Sequence, residues 1–196
     1  NLGRSFPLSR REMLSSVGAT LAATAISPHL ASAQGGDVSL AIGQAVVDTT
    51  PPLGIELAGF HKPVGQERRI TGIRQETAAR ALVLQLKDQT VAIVALDILG
   101  FSAHFAQQVQ QQVAKRTGIP ASNVRVCATH SHSTPTFIFL QQWGAVPEDY
   151  REQVADLAVQ AVEQAQQDLS AAQLHVGKSQ VAGGSFNRTT STWKTE

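Results

Sequence analysis

The chain has 196 residues, enough to bury a proper core, and with 42% hydrophobic and 16% charged residues it reads as globular rather than disordered. A formal net charge of +1 and 5% aromatic residues supply neither the basic footprint nor the stacking surface of a nucleic-acid binder, so no nucleic-acid partner is expected. The single cysteine, Cys127, excludes a disulfide framework and a cysteine-rich zinc site; a bound metal would need histidine, carboxylate or other oxygen donors.

Residues 1–33 read as an export signal. Ser9-Arg10-Arg11-Glu12-Met13-Leu14 has the twin-arginine form, no charged side chain occurs from Met13 to Gly36, and Ala31-Ser32-Ala33 is a small-x-small cleavage pattern. An ordinary amphipathic amino-terminal helix is the plainer alternative. The signal predicts export through the twin-arginine machinery to the periplasm or the medium, leaving residues 34–196 as the mature part. The first residue is Asn1, and the last element shows no obvious stop before Glu196; the expectation is a fragment of a longer protein.

In the mature part, residues 38–43 alternate weakly and predict a strand, broken by Thr50-Pro51-Pro52-Leu53-Gly54. Residues 59–72 are loop-like, with glycines, Pro63 and the charges Glu67, Arg68 and Arg69. The apolar runs 79–86 and 91–96, separated by Lys87-Asp88-Gln89, predict a hairpin. Its second run is nearly continuous, as for a strand covered on both faces. A helix is predicted over 102–117 from the four-residue repeat of Phe101, Phe105, Val109 and Val113, ended by Gly118 and Pro120. A core strand over 124–129 follows, then a helix over 147–169 with Val154, Leu157, Ala161, Ala165 and Leu169 inward, and a last strand over 173–179. The order implies an α/β (α+β) fold: a mixed sheet flanked by amphipathic helices, part of a larger catalytic domain.

The chemistry concentrates in Thr129-His130-Ser131-His132-Ser133-Thr134-Pro135, directly after an apolar strand. In extended chain, residues two apart share a side, so both imidazoles would project from the carboxyl end of a core strand, where open α/β sheets place ligands. Such a pair suits one Zn²⁺, or a metal ligand beside a proton carrier. Two partly exposed loop histidines bonded to nearby hydroxyls are the bland alternative.

This stretch resembles the Thr-His-Thr-His-Ser-Gly-Pro segment of the neutral (non-lysosomal) ceramidases. Ala41-Ile42-Gly43 with Val47-Asp48-Thr49-Thr50, Gly59-Phe60, Gly72-Ile73 with Ala79-Arg80-Ala81, Asp97, and Asn187-Arg188-Thr189 resemble further segments in the family's order, over about residues 40–190. The resemblance implies a zinc-dependent hydrolase of linear amides that cleaves N-acyl sphingoid bases, or a related amide or ester, by zinc-activated water. It implies His130 as a zinc ligand and places His132 and Arg188 in the catalytic site. The remaining ligands would lie beyond Glu196, so the isolated fragment is expected to be inactive. A lipid or amide substrate is implied, with peripheral contact to a membrane surface for access. The sequence departs from the family at Arg74 and Glu76, where the family has His and Arg. It departs again at Thr134, Thr136 and Phe137, where the family has glycines. These changes keep a second class open: an exported, non-catalytic ligand-binding protein on the same fold.

Asp97 either orients a site histidine or caps the following helix, in competition with Ser102. His61, His104 and His175 are expected to be surface or structural residues. Cys127 is expected to be a small buried hydrophobe rather than a nucleophile paired with His130.

Overall fold

A computed structural model describes residues 39–184. The export signal and Arg188 lie outside the described residues. Five strands form one sheet in the order β4-β3-β2-β1-β5: β1 (Leu40–Asp48), β2 (Ala78–Leu86), β3 (Gln89–Leu96), β4 (Val124–Ala128) and β5 (Ser170–Ala172). β1, β2 and β3 pair antiparallel, β5 lies antiparallel to β1, and β3 and β4 are parallel, joined by helix α1 (Ala103–Thr117). Helix α2 (Glu148–Gln167) connects β4 to β5. The α+β class expected from the element order is what the chain adopts.

Both helices pack on one face of the sheet. The inward residues Ala79, Ala81 and Val83 of β2, Ala92, Val94 and Leu96 of β3, and Val124 and Val126 of β4 alternate, as strand geometry requires. They form a single core with Phe105, Val109 and Val113 of α1 and Val154, Val159 and Val162 of α2. The stripe predicted for α1 is therefore the buried one. Its ends follow from local chemistry. The Ser102 hydroxyl accepts the Phe105 N–H (3.3 Å), and Gly118, at φ 76°, closes the last turn on the Ala114 carbonyl.

Leu157, expected inward, is only half-buried and lies off the core, while α2 buries a broader stripe than predicted, adding Tyr150, Ala155, Ala158, Val159 and Val162. The reason is close approach. A Cβ on Gly43 of β1 would lie 1.9 Å from the Ala165 carbonyl oxygen, so helix backbone rests almost directly on the strand. The small faces of Ala158, Ala161 and Ala165 permit this contact.

Two expectations are corrected. β3 is covered on one face only among the described residues: Ala92, Val94 and Leu96 are fully buried, whereas Val91 and Ile93 stay 40% and 38% exposed. An unbroken apolar run signalled two covered faces but does not say what covers the second. The last strand is Ser170–Ala172, not 173–179. Its register places Ala172 opposite Leu40, the first residue of β1, so β5 outruns its partner there and residues 173–180 are exposed and without regular structure.

Candidate metal and catalytic site

The pairing directions gather four strand ends at one edge of the sheet: the carboxyl ends of β1, β3 and β4 and the amino end of β2. The loop after β4 is stitched to the segment after β3. Thr129 N–H donates to the Leu96 carbonyl (3.0 Å), Leu99 N–H to Pro135 (2.9 Å) and Phe137 N–H to Gly100 (2.7 Å). Phe137 then enters the core, 2% exposed, against Phe105 and Tyr150. Thr134 and Thr136 are also buried, and their hydroxyls donate to the carbonyls of Ser131 and Ile138. Thr134, Thr136 and Phe137 thus anchor the loop that carries the histidines.

β4 ends at Ala128, and His130 sits in the left-handed region at φ 59°. The expected extended geometry is therefore replaced by a turn, which for a non-glycine residue costs about 1–2 kcal/mol. The two imidazoles still meet, with ring centroids 5.1 Å apart at 82°. His130 is exposed, and its Nδ1 lies 2.7 Å from the Leu99 carbonyl oxygen. A carbonyl can only accept, so Nδ1 carries the proton, and in the neutral imidazole the lone pair is on Nε2.

His132 is half-buried and held by contacts of shape. Phe60 meets its ring edge at 5.2 Å and Trp143 at 6.3 Å. A Cβ on Gly59, whose φ is +95°, would lie 2.5 Å from the His132 ring. The Gly-Phe turn noted in the sequence is thus the wall against which His132 rests. Arg68 completes this wall by donating to the carbonyls of Ala58 (2.6 Å) and His132 (2.9 Å).

Asp97 does neither of the things expected of it. Its Oδ2 accepts the Ala78 N–H (3.0 Å) and pairs with Arg80 (2.5 Å), tying the β3 end to the β2 start, while Ser102 caps α1. Asp48 closes the turn after β1, and the Thr50 hydroxyl and N–H that it accepts hold its carboxyl below the usual range. Beneath the loop, the Tyr150 hydroxyl donates to the Thr49 carbonyl, and burial pushes its pKa up to about 12. His61, His104 and His175 are exposed, and Cys127 is half-buried on the uncovered sheet face. Arg68, Trp143 and the Leu99 carbonyl were not singled out in the sequence; Arg68 showed only as one charge in a cluster.

Two hollows flank the histidine loop. A mixed cleft of about 550 Å³ is bordered by Ser131, Ser133, Arg74, Arg80 and Asp97 together with Leu57, Ile70 and Ile73. A groove of about 350 Å³ is lined by Phe60, Val64, Phe139, Leu140 and Trp143, with Arg68 among its polar neighbours. Among the described residues, no three His, Cys, Asp or Glu side chains gather into a metal cluster. The fit to zinc is that of one donor: an exposed imidazole with its Nδ1 fixed on a backbone carbonyl.

Fold and site together define a class: a mixed sheet with helices on one face, whose loop edge offers a fixed imidazole donor beside a second, packed imidazole. Residues 40–196 match the family described as neutral/alkaline non-lysosomal ceramidase, N-terminal, and the chain belongs to that family. Two solved structures are similar to it, the neutral ceramidase from Pseudomonas aeruginosa and a ceramidase complexed with C2. Each is 21% identical with a TM-score of 0.51, over 69% of this chain and 22% of that one. The likeness is one of fold, and the chain spans 22% of the length of those solved chains. No curated protein matches the sequence.

Proposed function

We propose that this chain is the part of an exported, ceramidase-like zinc hydrolase that supplies the first metal donor and its neighbouring proton carrier. The observation that carries this is the His130 Nδ1 contact to the Leu99 carbonyl, which leaves Nε2 as a directed donor at the loop edge. Backbone-fixed imidazoles of this kind are the usual form of a histidine zinc ligand. Zinc, when bound, would supply a Lewis acid that polarises the amide carbonyl and activates water. His132, close to His130 but packed by hydrophobic walls, is suited to carry a proton between water and the leaving amine. Arg188 is proposed to bind a polar group of the substrate.

The groove of Phe60, Val64, Phe139, Leu140 and Trp143 beside His132 supports an N-acyl lipid substrate, because it offers apolar surface for a hydrocarbon chain. Phe139 and Val64 are 75% and 86% exposed, which suits docking at a lipid surface. No helix among the described residues is long and apolar enough to cross a membrane. Ser9-Arg10-Arg11 and the uncharged run after it support export by the twin-arginine route. One donor does not make a stable zinc site, so the fragment by itself is proposed to be inactive.

The test uses the complete protein, with metal analysis and a panel of N-acyl sphingoid bases and simpler N-acyl amides. Zinc near one per chain and turnover, both lost in His130→Ala, are expected. Zinc retained in that variant would remove His130 from the ligand set. Bound zinc without turnover on any amide or ester would overturn hydrolysis in favour of ligand binding alone.

A further inference from the structure

Building on the proposed role of His132, the geometry points to Arg68 as a positioning residue that fixes the His132 ring. One terminal nitrogen of its guanidinium donates to two carbonyls at once: Ala58, which precedes the Gly59 wall, and His132 itself. The same guanidinium lies over the Phe60 ring, 4.5 Å from its centroid, and Phe60 in turn meets the His132 ring at 5.2 Å. Arg68 therefore grips His132 from the main-chain side and through the aromatic ring that touches the imidazole. The wall has one further tie on each side, from Ala58 N–H to the Thr134 carbonyl (3.0 Å) and from Gly59 N–H to the Trp143 carbonyl (3.2 Å).

Stability alone does not account for an arginine here. Its Nε is buried without an acceptor, a cost that an apolar side chain of similar volume would avoid. What arginine adds is a flat cation that stacks on Phe60 while donating sideways to two oxygens, which a lysine ammonium does only in part. His130 is held independently, by Leu99 on the segment after β3. Arg68 is thus expected to govern His132 and to leave the metal donor untouched.

The experiment is a double-mutant cycle in the complete zinc-loaded protein, with Arg68→Gln, Arg68→Lys, His132→Ala and the Arg68→Gln/His132→Ala pair. Arg68→Gln should lower kcat roughly ten- to a hundred-fold, the penalty for a misplaced catalytic group, with zinc content unchanged. Arg68→Lys should recover part of the loss. The pair should be no slower than His132→Ala alone, because Arg68 then has nothing left to position. Additive losses, or loss of zinc in Arg68→Gln, would show a general structural role and overturn the inference. The readout that does not depend on turnover is the set of nuclear Overhauser contacts between the Phe60 and His132 rings. Their weakening in Arg68→Gln supports the inference even if no amide is cleaved, an outcome that would sink only the hydrolase proposal. Their persistence unchanged overturns it.

Discussion

The body of the domain and its loop edge are held together by different forces. In the body, alternate strand residues and two helix stripes bury a single apolar core, and Ala79, Ala81 and Val83 of β2 and Ala92, Val94 and Leu96 of β3 are closed to water. At the loop edge, backbone hydrogen bonds, one arginine, a positive-φ glycine and aromatic edges set two imidazoles beside each other. Burial is non-directional, so it makes a platform without choosing which side chains meet above it. Hydrogen bonds and ring contacts contribute less but fix direction, which a site needs. Phe137 and Tyr150 are the joints: both sit in the core, while the backbone of one and the hydroxyl of the other reach the loops.

The comparison breaks most visibly at Phe137. Phe137→Ala should cost about 3–5 kcal/mol in chemical denaturation, as for other buried aromatics. It should also free the histidine loop, so hydrogen exchange over 130–137 should rise more than over β3. Equal increases in both would mean the loop is not anchored there.

Gly43→Ala probes the body alone. Its Cβ would strike helix backbone at Ala165 rather than a movable side-chain tip, so a loss of about 3 kcal/mol is expected, at the upper end for overpacking. Thermal melting should report it; an unchanged midpoint would show that α2 can lift off β1 freely.

Tyr150 tests the joint by pH. The folded pKa of about 12 lies above the ordinary value of 10, so the folded state keeps a proton that the unfolded state loses. Stability is then full below pH 10 and falls as pH rises towards 12, by up to about 2–3 kcal/mol. Because the chain has one tyrosine, phenolate absorbance reads Tyr150 alone. Tyr150→Phe should flatten the decline, and titration near 10 in the folded protein would refute the burial.

Gly59→Ala should do the reverse of Gly43→Ala. Strain at φ +95° costs about 1–3 kcal/mol, leaving a folded chain, but the new Cβ would displace the His132 ring. Turnover of the zinc-loaded complete protein should drop roughly a hundred-fold with zinc retained. A variant of ordinary activity would mean that His132 does not need its wall.

Much of the body was legible in the sequence, because periodicity is a direct imprint of one-sided burial. Phe105, Val109 and Val113 repeat every four residues and are the buried stripe of α1, ended by Gly118 as the chain order predicted. The hairpin of β2 and β3 was equally plain, because its two apolar runs are separated by only four polar residues, 87–90. The breadth of the α2 stripe was not legible, since alanines read as indifferent until Gly43 brings a strand up to them. Nor could the end of the last strand be read, because it depends on where β1 begins.

At the site, the sequence by itself determined the residue types, His130 and His132 after a core strand, and their place in a family pattern. The tertiary structure decided which contacts each one makes. His130 turns through a left-handed conformation to meet the Leu99 carbonyl, and His132 rests on Gly59 and Phe60 under the hold of Arg68, 64 residues away in the chain. Asp97, a natural partner by sequence, is drawn instead to Arg80 and the Ala78 N–H. Spacing along a chain constrains what neighbouring residues can do, but hydrogen bonds and ring contacts join residues wherever the sheet brings their loops together, and no local pattern records that meeting.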